Sequence, residues 1–197
     1  MEGKEKKRIG IFGGSFDPIH LGHLALANYI CEYEDIDELW FMLTPQNPLK
    51  KESTGASEEQ RMNLIQLAID DYPQFKASDF ELHLKPPFYT ARTLEELRKR
   101  HPSIDFVLII GSDNWLKFQQ WKNPEEIKKN HCILIYPRPQ FPVNIDTLPQ
   151  GVKLINSPIF EVSSTMIREA FHQGKELPYF LHPKVYRKIK EQGMYQS

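Results

Sequence analysis

The residues Gly13-Gly14-Ser15-Phe16-Asp17-Pro18-Ile19-His20-Leu21-Gly22-His23 hold the densest set of chemically useful groups in the chain. The two histidines are three positions apart, which predicts that both rings share one side of a helix mouth and reach the same anion. Gly22 between them leaves room for a ligand to approach the backbone. An apolar run, Ile9-Gly10-Ile11-Phe12, precedes this string, and a helical pattern, Leu24 to Ile30, follows it. Strand, glycine turn and helix in that order gather backbone N–H groups and a positive helix end at one point, where a phosphate fits. The glycines Gly10, Gly13 and Gly14 lack the G-x-G-x-x-G spacing, and the chain has no G-x-x-x-x-G-K-[ST]. Neither a dinucleotide fingerprint nor a Walker-type phosphate loop is therefore indicated.

A second anion site is expected at Val162-Ser163-Ser164-Thr165-Met166-Ile167-Arg168. Ser163 or Ser164 can cap the helix that follows, whose free N–H groups carry the positive end of the dipole. Arg168, one turn in, is placed to add a charge-assisted fork to the same anion. His83, His101, His131, His172 and His182 show no metal-ligand spacing, and no metal site is expected on the protein.

These groups need elements to hold them, and the patterning supplies an alternation of strands and helices. Strands are predicted at Glu38–Leu43, Phe75–Ser78, Asp105–Gly111, Cys132–Tyr136 and Val152–Ile155. The run over 105–111 is apolar throughout, as in a strand buried on both faces of a parallel sheet. Ser57 and Gln60 form a capping box for a helix with Met62, Ile65 and Ile69 at helical spacing. Further helices are predicted from Thr93 to Arg100, from Pro124 through Lys129, from Ser164 to His172 and from Pro183 to a stop at Gly193. The order gives an α/β fold with a doubly wound, mostly parallel sheet and a small C-terminal helical part. In such sheets ligands bind beyond the carboxyl ends of the strands. Gly13–Gly14 and Gly111-Ser112-Asp113 both fall there.

The chain has 197 residues, 40% hydrophobic and 26% charged, with a formal net charge of −1. That length suits a single domain over 1–197. The near-neutral balance gives no general attraction for a nucleic-acid polymer or a membrane surface. Cys31 and Cys132 read as small buried hydrophobes, and with no signal peptide a reducing cytoplasm is expected. Whether the chain forms a homo-oligomer is left open.

The string Gly13–His23 resembles the HxGH signature of the nucleotidylyltransferases, and Val162–Arg168 resembles the second signature of that superfamily, ISSTxIR. Thr44-Pro45-Gln46-Asn47-Pro48-Leu49-Lys50, Tyr89-Thr90-Ala91-Arg92-Thr93-Leu94, Gly111–Trp115 with Phe118 and Trp121, and the tail from Leu181 to Tyr195 narrow this further. Together they resemble the bacterial nicotinate-nucleotide adenylyltransferases over nearly the whole chain. The resemblance implies a Rossmann-like nucleotidylyltransferase fold and a reaction of ATP with nicotinate mononucleotide, giving deamido-NAD and pyrophosphate by in-line attack. It implies His20, His23, Lys50 and Arg168 as catalytic groups acting on the phosphates. It implies Gly13, Gly14, Ser15 and Phe16 where the two nucleotides meet, and Ser163 and Ser164 at the β- and γ-phosphates. Gly111 closes the strand beside Asp113, which would accept from the ATP ribose. Trp121 would stack on the pyridine ring, and backbone groups near Thr90 would read its carboxylate. Mg²⁺ would arrive on the ATP phosphates. Alternatives are pantetheine-phosphate adenylyltransferase, a cytidylyltransferase, or a nucleotide-binding module without catalysis. The residues leave the choice between nicotinate and nicotinamide open.

Overall fold

The computed structural model describes residues 6–45 and 55–196. Six parallel strands form a single sheet: β1 (Lys7–Gly14), β2 (Glu38–Leu43), β3 (Phe75–Ser78), β4 (Ile104–Gly111), β5 (Ile133–Tyr136) and β6 (Val152–Leu154), in the order β3-β2-β1-β4-β5-β6. The helices are α1 (Leu21–Tyr33), α2 (Glu58–Ile69), α3 (Thr90–Arg100), α4 (Ser112–Trp115), α5 (Pro124–Asn130), α6 (Ser164–His172) and α7 (Pro183–Gln192). This is the doubly wound Rossmann-like order, and its direction reverses between β1 and β4.

Strand periodicity sorts the core into two layers. Ile9 and Ile11 of β1, with Phe106, Leu108 and Ile110 of β4, face Leu94, Leu97 and Ile127 of α3 and α5. Phe12 of β1, with Val107 and Ile109 of β4, belongs to the opposite layer, with Leu26, Ile30, Leu64, Ile167 and Val185 of α1, α2, α6 and α7. The central strands are buried on both faces, which is why their sequence reads as continuous apolar runs.

The Ser57–Gln60 capping box opens α2 as expected, with both reciprocal bonds formed. The helix expected to begin at Thr93 begins at Thr90. Its N-cap, Tyr89, makes no side-chain cap bond, so the first turn carries no sequence signature. The 3-10 turn at Phe80–His83 also went unannounced in the sequence, and it proves to wall the site. Among the described residues no helix is long and apolar enough to cross a membrane.

Candidate active site

Two cavities open at the switch point, beyond the carboxyl ends of β1 and β4. The smaller, about 180 Å³, is lined by His20, His23, Arg138, Ser157, Ser163 and Ser164. The larger, about 560 Å³, is lined by Gly13, Thr44, Glu81, Thr90, Gly111 and Trp121, among others. Tyr136 at the end of β5 lines both.

His20 and His23 build the smaller cavity in a way their spacing alone did not show. His20 is not on the helix; it is the N-cap of α1, in extended backbone, and His23 is the third helical residue. The backbone N–H of His23 donates to Nδ1 of His20 (3.4 Å), and that of His20 donates to Nδ1 of His23 (3.3 Å). A capping box normally made by hydroxyl and carboxamide groups is made here by two imidazoles. Each Nδ1 is an acceptor, so each neutral ring carries its proton on Nε2 and donates from there. The rings stack with centroids 3.6 Å apart. Burial, then the charge of Arg138, pulls His20 down to about 4. Burial, then His20 and Arg138, holds His23 well below the usual imidazole range. Both are neutral donors at pH 7. The space above Gly22 is filled by the His20 ring: a Cβ there would meet His20 Nδ1 at 3.1 Å. Gly22 thus admits the His20 ring, and it also lines the small cavity.

Arg138 supplies the cation of this cavity, and no motif in the sequence marks it. Its guanidinium lies 5.2 Å over the Tyr136 ring, with Nη2 donating to the Tyr136 hydroxyl (3.1 Å). Its backbone N–H donates to Ser112 Oγ (2.9 Å), which fixes the start of the loop. Arg138 Nε stands 3.8 Å from Asp113 Oδ1. That oxygen is buried and has no hydrogen-bond partner. A Cβ at Gly111 would sit 2.3 Å from the same oxygen, so a larger residue there would have to move the Asp113 carboxylate. Asp113 Oδ1 is thus buried beside the Arg138 guanidinium without a hydrogen bond. Ser157 Oγ, also buried and unpartnered, is a second unsatisfied group, on the cavity wall itself.

The expected phosphate fork of Arg168 takes a different form. Its Nη1 donates to the carbonyl of Asp17 (2.7 Å), and Nη2 to Thr165 Oγ1 (3.4 Å). Ser164 Oγ donates to the carbonyl of Pro18 (2.9 Å), while Ser163 Oγ caps α6 by accepting from Met166 N–H (3.1 Å). Arg168 and Ser164 thus fasten the turn between β1 and α1, and Arg168 does not line the small cavity. Phe16 is in the core, its ring packed edge-on against Phe12, Phe41 and His23. Its φ of 46° is a left-handed backbone uncommon for an aromatic residue. Gly14 and Ser15 lie in the same turn; Lys50 is outside the described residues.

Trp121 and Thr90 both line the larger cavity. Trp121 packs on Phe118 with centroids 5.1 Å apart, and Phe118 in turn stacks on Trp115. Thr90 is the first residue of α3, so N–H groups without helical partners start there. Glu81, buried in the wall, accepts from Thr93 Oγ1 (2.7 Å); burial pushes its carboxyl up and the Thr93 hydroxyl pulls it back. Among the described residues no group of three or more His, Cys, Asp or Glu could hold a metal ion.

A donor pair, a cation and a capped helix at the switch point of a 3-2-1-4-5-6 sheet define a nucleotidylyltransferase, and the family model described as Cytidylyltransferase-like matches residues 11–170. A Bacteroides thetaiotaomicron protein named "Probable nicotinate-nucleotide adenylyltransferase" is 54% identical over 97% of this chain and 95% of its own. A Flavobacterium psychrophilum protein of the same name is 43% identical over 96% of this chain and 100% of its own. The chain belongs to the nicotinate-nucleotide adenylyltransferases of this cytidylyltransferase-like family. The nicotinic acid mononucleotide adenylyltransferase of Plasmodium falciparum, solved in complex with APC and with NaAD, shares the fold. The APC complex has a TM-score of 0.79 at 22% identity, over 96% of this chain and 97% of that one.

Proposed function

We propose that the chain, acting as one domain in the cytoplasm, transfers the adenylyl group of Mg²⁺-bound ATP to nicotinate mononucleotide. The observation that carries this reading is the mutual Nδ1 capping of His20 and His23, which leaves two Nε2–H donors on a cavity that also holds Arg138. A 5′-phosphate oxygen of the mononucleotide attacks the α-phosphorus of ATP in line. The bond from that phosphorus to the bridging oxygen breaks, and its electron pair leaves on pyrophosphate. A phosphate monoester needs no general base for this, so catalysis is positioning and charge stabilisation. The two Nε2–H groups and Arg138 donate to oxygens that gain charge as pyrophosphate departs. Magnesium enters on the triphosphate as part of the substrate.

The larger cavity takes the mononucleotide. Its volume, about 560 Å³, and its aromatic wall suit a pyridine ring stacked on Trp121, with N–H groups at the start of α3 turned to the carboxylate. Lys50 and Arg168 assist at the phosphates, Arg168 by holding the turn. Pyrophosphate release with Mg²⁺-ATP and nicotinate mononucleotide, nicotinamide mononucleotide or phosphopantetheine in parallel tests the reading. A strong preference for the nicotinate compound is expected. Equal rates with both pyridine nucleotides would remove the carboxylate-reading role, and release only with phosphopantetheine would overturn the assignment.

A further inference from the structure

Arg61 is among the largest fully buried side chains in the molecule, 2% exposed, and it sits on α2 with the charges of Asp17 and Glu58 acting on it. Its Nη1 donates to two carbonyls from different parts of the chain: Ser15 (2.6 Å) and Thr44 (3.1 Å). Ser15 belongs to the turn that leads into His20. Thr44 follows β2, lines the larger cavity, and donates its own N–H to the Gly14 carbonyl (3.0 Å). One nitrogen therefore clamps the phosphate turn to the wall of the mononucleotide cavity. Nη2 is buried with no hydrogen-bond partner.

The same turn is held by other late elements. Asp17 Oδ1 accepts from Ala56 N–H (3.0 Å), just ahead of α2, and from the Tyr195 hydroxyl (2.7 Å) near the end of the chain. Carbonyls of Ser15, Asp17 and Pro18 are taken by Arg61, Arg168 and Ser164 in turn. A left-handed Phe16 inside such a turn persists only when its surroundings over-determine it. A buried guanidinium is a poor choice for stability alone, because desolvation opposes it and apolar side chains of similar volume do as well or better. What it alone supplies is a rigid, charged donor that meets two carbonyls at once.

We propose that Arg61 is a positioning residue that couples the two substrate cavities, fixing the phosphate turn and the Thr44 wall in one register. The inference rests on the assignment of those cavities to ATP and nicotinate mononucleotide. Wild type, R61A and R61K are compared by steady-state kinetics, by calorimetric titration with a non-hydrolysable ATP analogue and with the mononucleotide, and by thermal unfolding. R61A is expected to raise both KM values about tenfold or more with a smaller fall in kcat, since misplacement of about 1 Å is enough for such losses. Guanidinium ion at low millimolar concentration is expected to restore R61A, and methylammonium is not. Both KM values within twofold of wild type in a folded R61A would overturn the proposal. So would losses that follow only a lowered Tm, with no guanidinium rescue. If R61A does not fold, R61K carries the test: a single point donor keeps the charge but is expected to raise both KM values at near wild-type Tm, and unchanged values count against the proposal. A wild type that turns over only other substrates refutes the cavity assignment instead, and the ATP-analogue titration then decides the role of Arg61.

Discussion

The imidazoles of His20 and His23 lie 3.6 Å apart and 20° from parallel, each accepting the backbone N–H of the other's residue at Nδ1. The arrangement does two jobs with one set of bonds. It caps α1, and it fixes the Nε2–H tautomer in both rings, so that two donors meet the small cavity without being charged. Neutral donors suit a leaving group that gathers charge only in the transition state, because they gain most at that moment.

H20N separates these two jobs. Asparagine is a good N-cap residue and can accept from the His23 N–H, so the helix is expected to stay capped. The Nε2–H donor is lost. Removal of one preorganised donor to a developing negative charge costs about 10²–10³ in kcat. We expect a fall of that size in single-turnover adenylyl transfer, with a Tm near wild type and a several-fold change at most in the affinity for ATP. A loss of ATP affinity alone, with kcat intact, would place His20 in ground-state binding.

The same burial gives stability a pH dependence. In the unfolded chain both histidines titrate near 6.5. In the folded protein His20 is pulled down to about 4, and His23 lies well below the usual range. The unfolded state therefore binds more protons between these limits, and stability falls as pH drops through 6.5, the His20 contribution levelling off below about 4. For His20 alone the loss approaches about 3 kcal/mol, from a shift of roughly 2.5 units at 1.36 kcal/mol each. Urea unfolding of wild type and H20N from pH 7.5 to 4.5 checks this, the variant showing the shallower slope.

Arg138 is expected to act on the nucleotide and on the histidines together. R138Q removes a charge-assisted donor, an effect of about 1.5–3 kcal/mol, so ATP affinity should fall about tenfold to a hundredfold. The positive charge beside His20 and His23 also disappears, which should raise both pKa values in an NMR titration of the ring protons. A weaker nucleotide complex with unmoved histidine titrations would mean the guanidinium lies too far from the rings to matter in solution.

Arg138 also shows where sequence reading stops. The parallel sheet and most helices were legible because both core layers imprint apolar runs and helical patterns on the chain, whereas the strand order came only with the fold. The histidine string and the α6 cap were legible because short-range geometry dictates those residue types. Arg138 follows a strand within a run of prolines, and only the folded position of that run brings it over Tyr136. Arg61 hides inside an amphipathic pattern, as any arginine on a helix would, and its two carbonyl partners are 46 and 17 residues away. Ser157 Oγ and Asp113 Oδ1 differ from ordinary polar atoms only in being buried without a hydrogen bond, a property of the packed molecule. Arg168 was read as a fork for the anion at α6, and its hold on the Asp17 carbonyl was hidden because that reach depends on how α6 docks.

The Glu81–Thr93 pair offers a last test, on the wall of the larger cavity. Thr93 Oγ1 donates to Glu81 Oε1 at 2.7 Å, both side chains buried, the bond tying the Phe80–His83 turn to the first turns of α3. Burial raises the Glu81 pKa above its unfolded value, so its contribution to stability is fully present below the unfolded pKa and is lost as pH rises through the folded one. The hydroxyl opposes that loss, because it donates most strongly to the ionised carboxylate. T93V keeps the shape and deletes the donor. It should cost about 1–3 kcal/mol at pH 8, where an ionised buried carboxylate is left short of a partner, and less at pH 5. E81Q keeps an acceptor for Thr93 and removes the charge, so it should flatten the pH dependence of stability that T93V steepens. Since the pair holds the start of α3 against the cavity, T93V should also raise the KM for the mononucleotide while leaving that for ATP near wild type. Equal changes in both KM values would mean that α3 serves the fold as a whole rather than this wall.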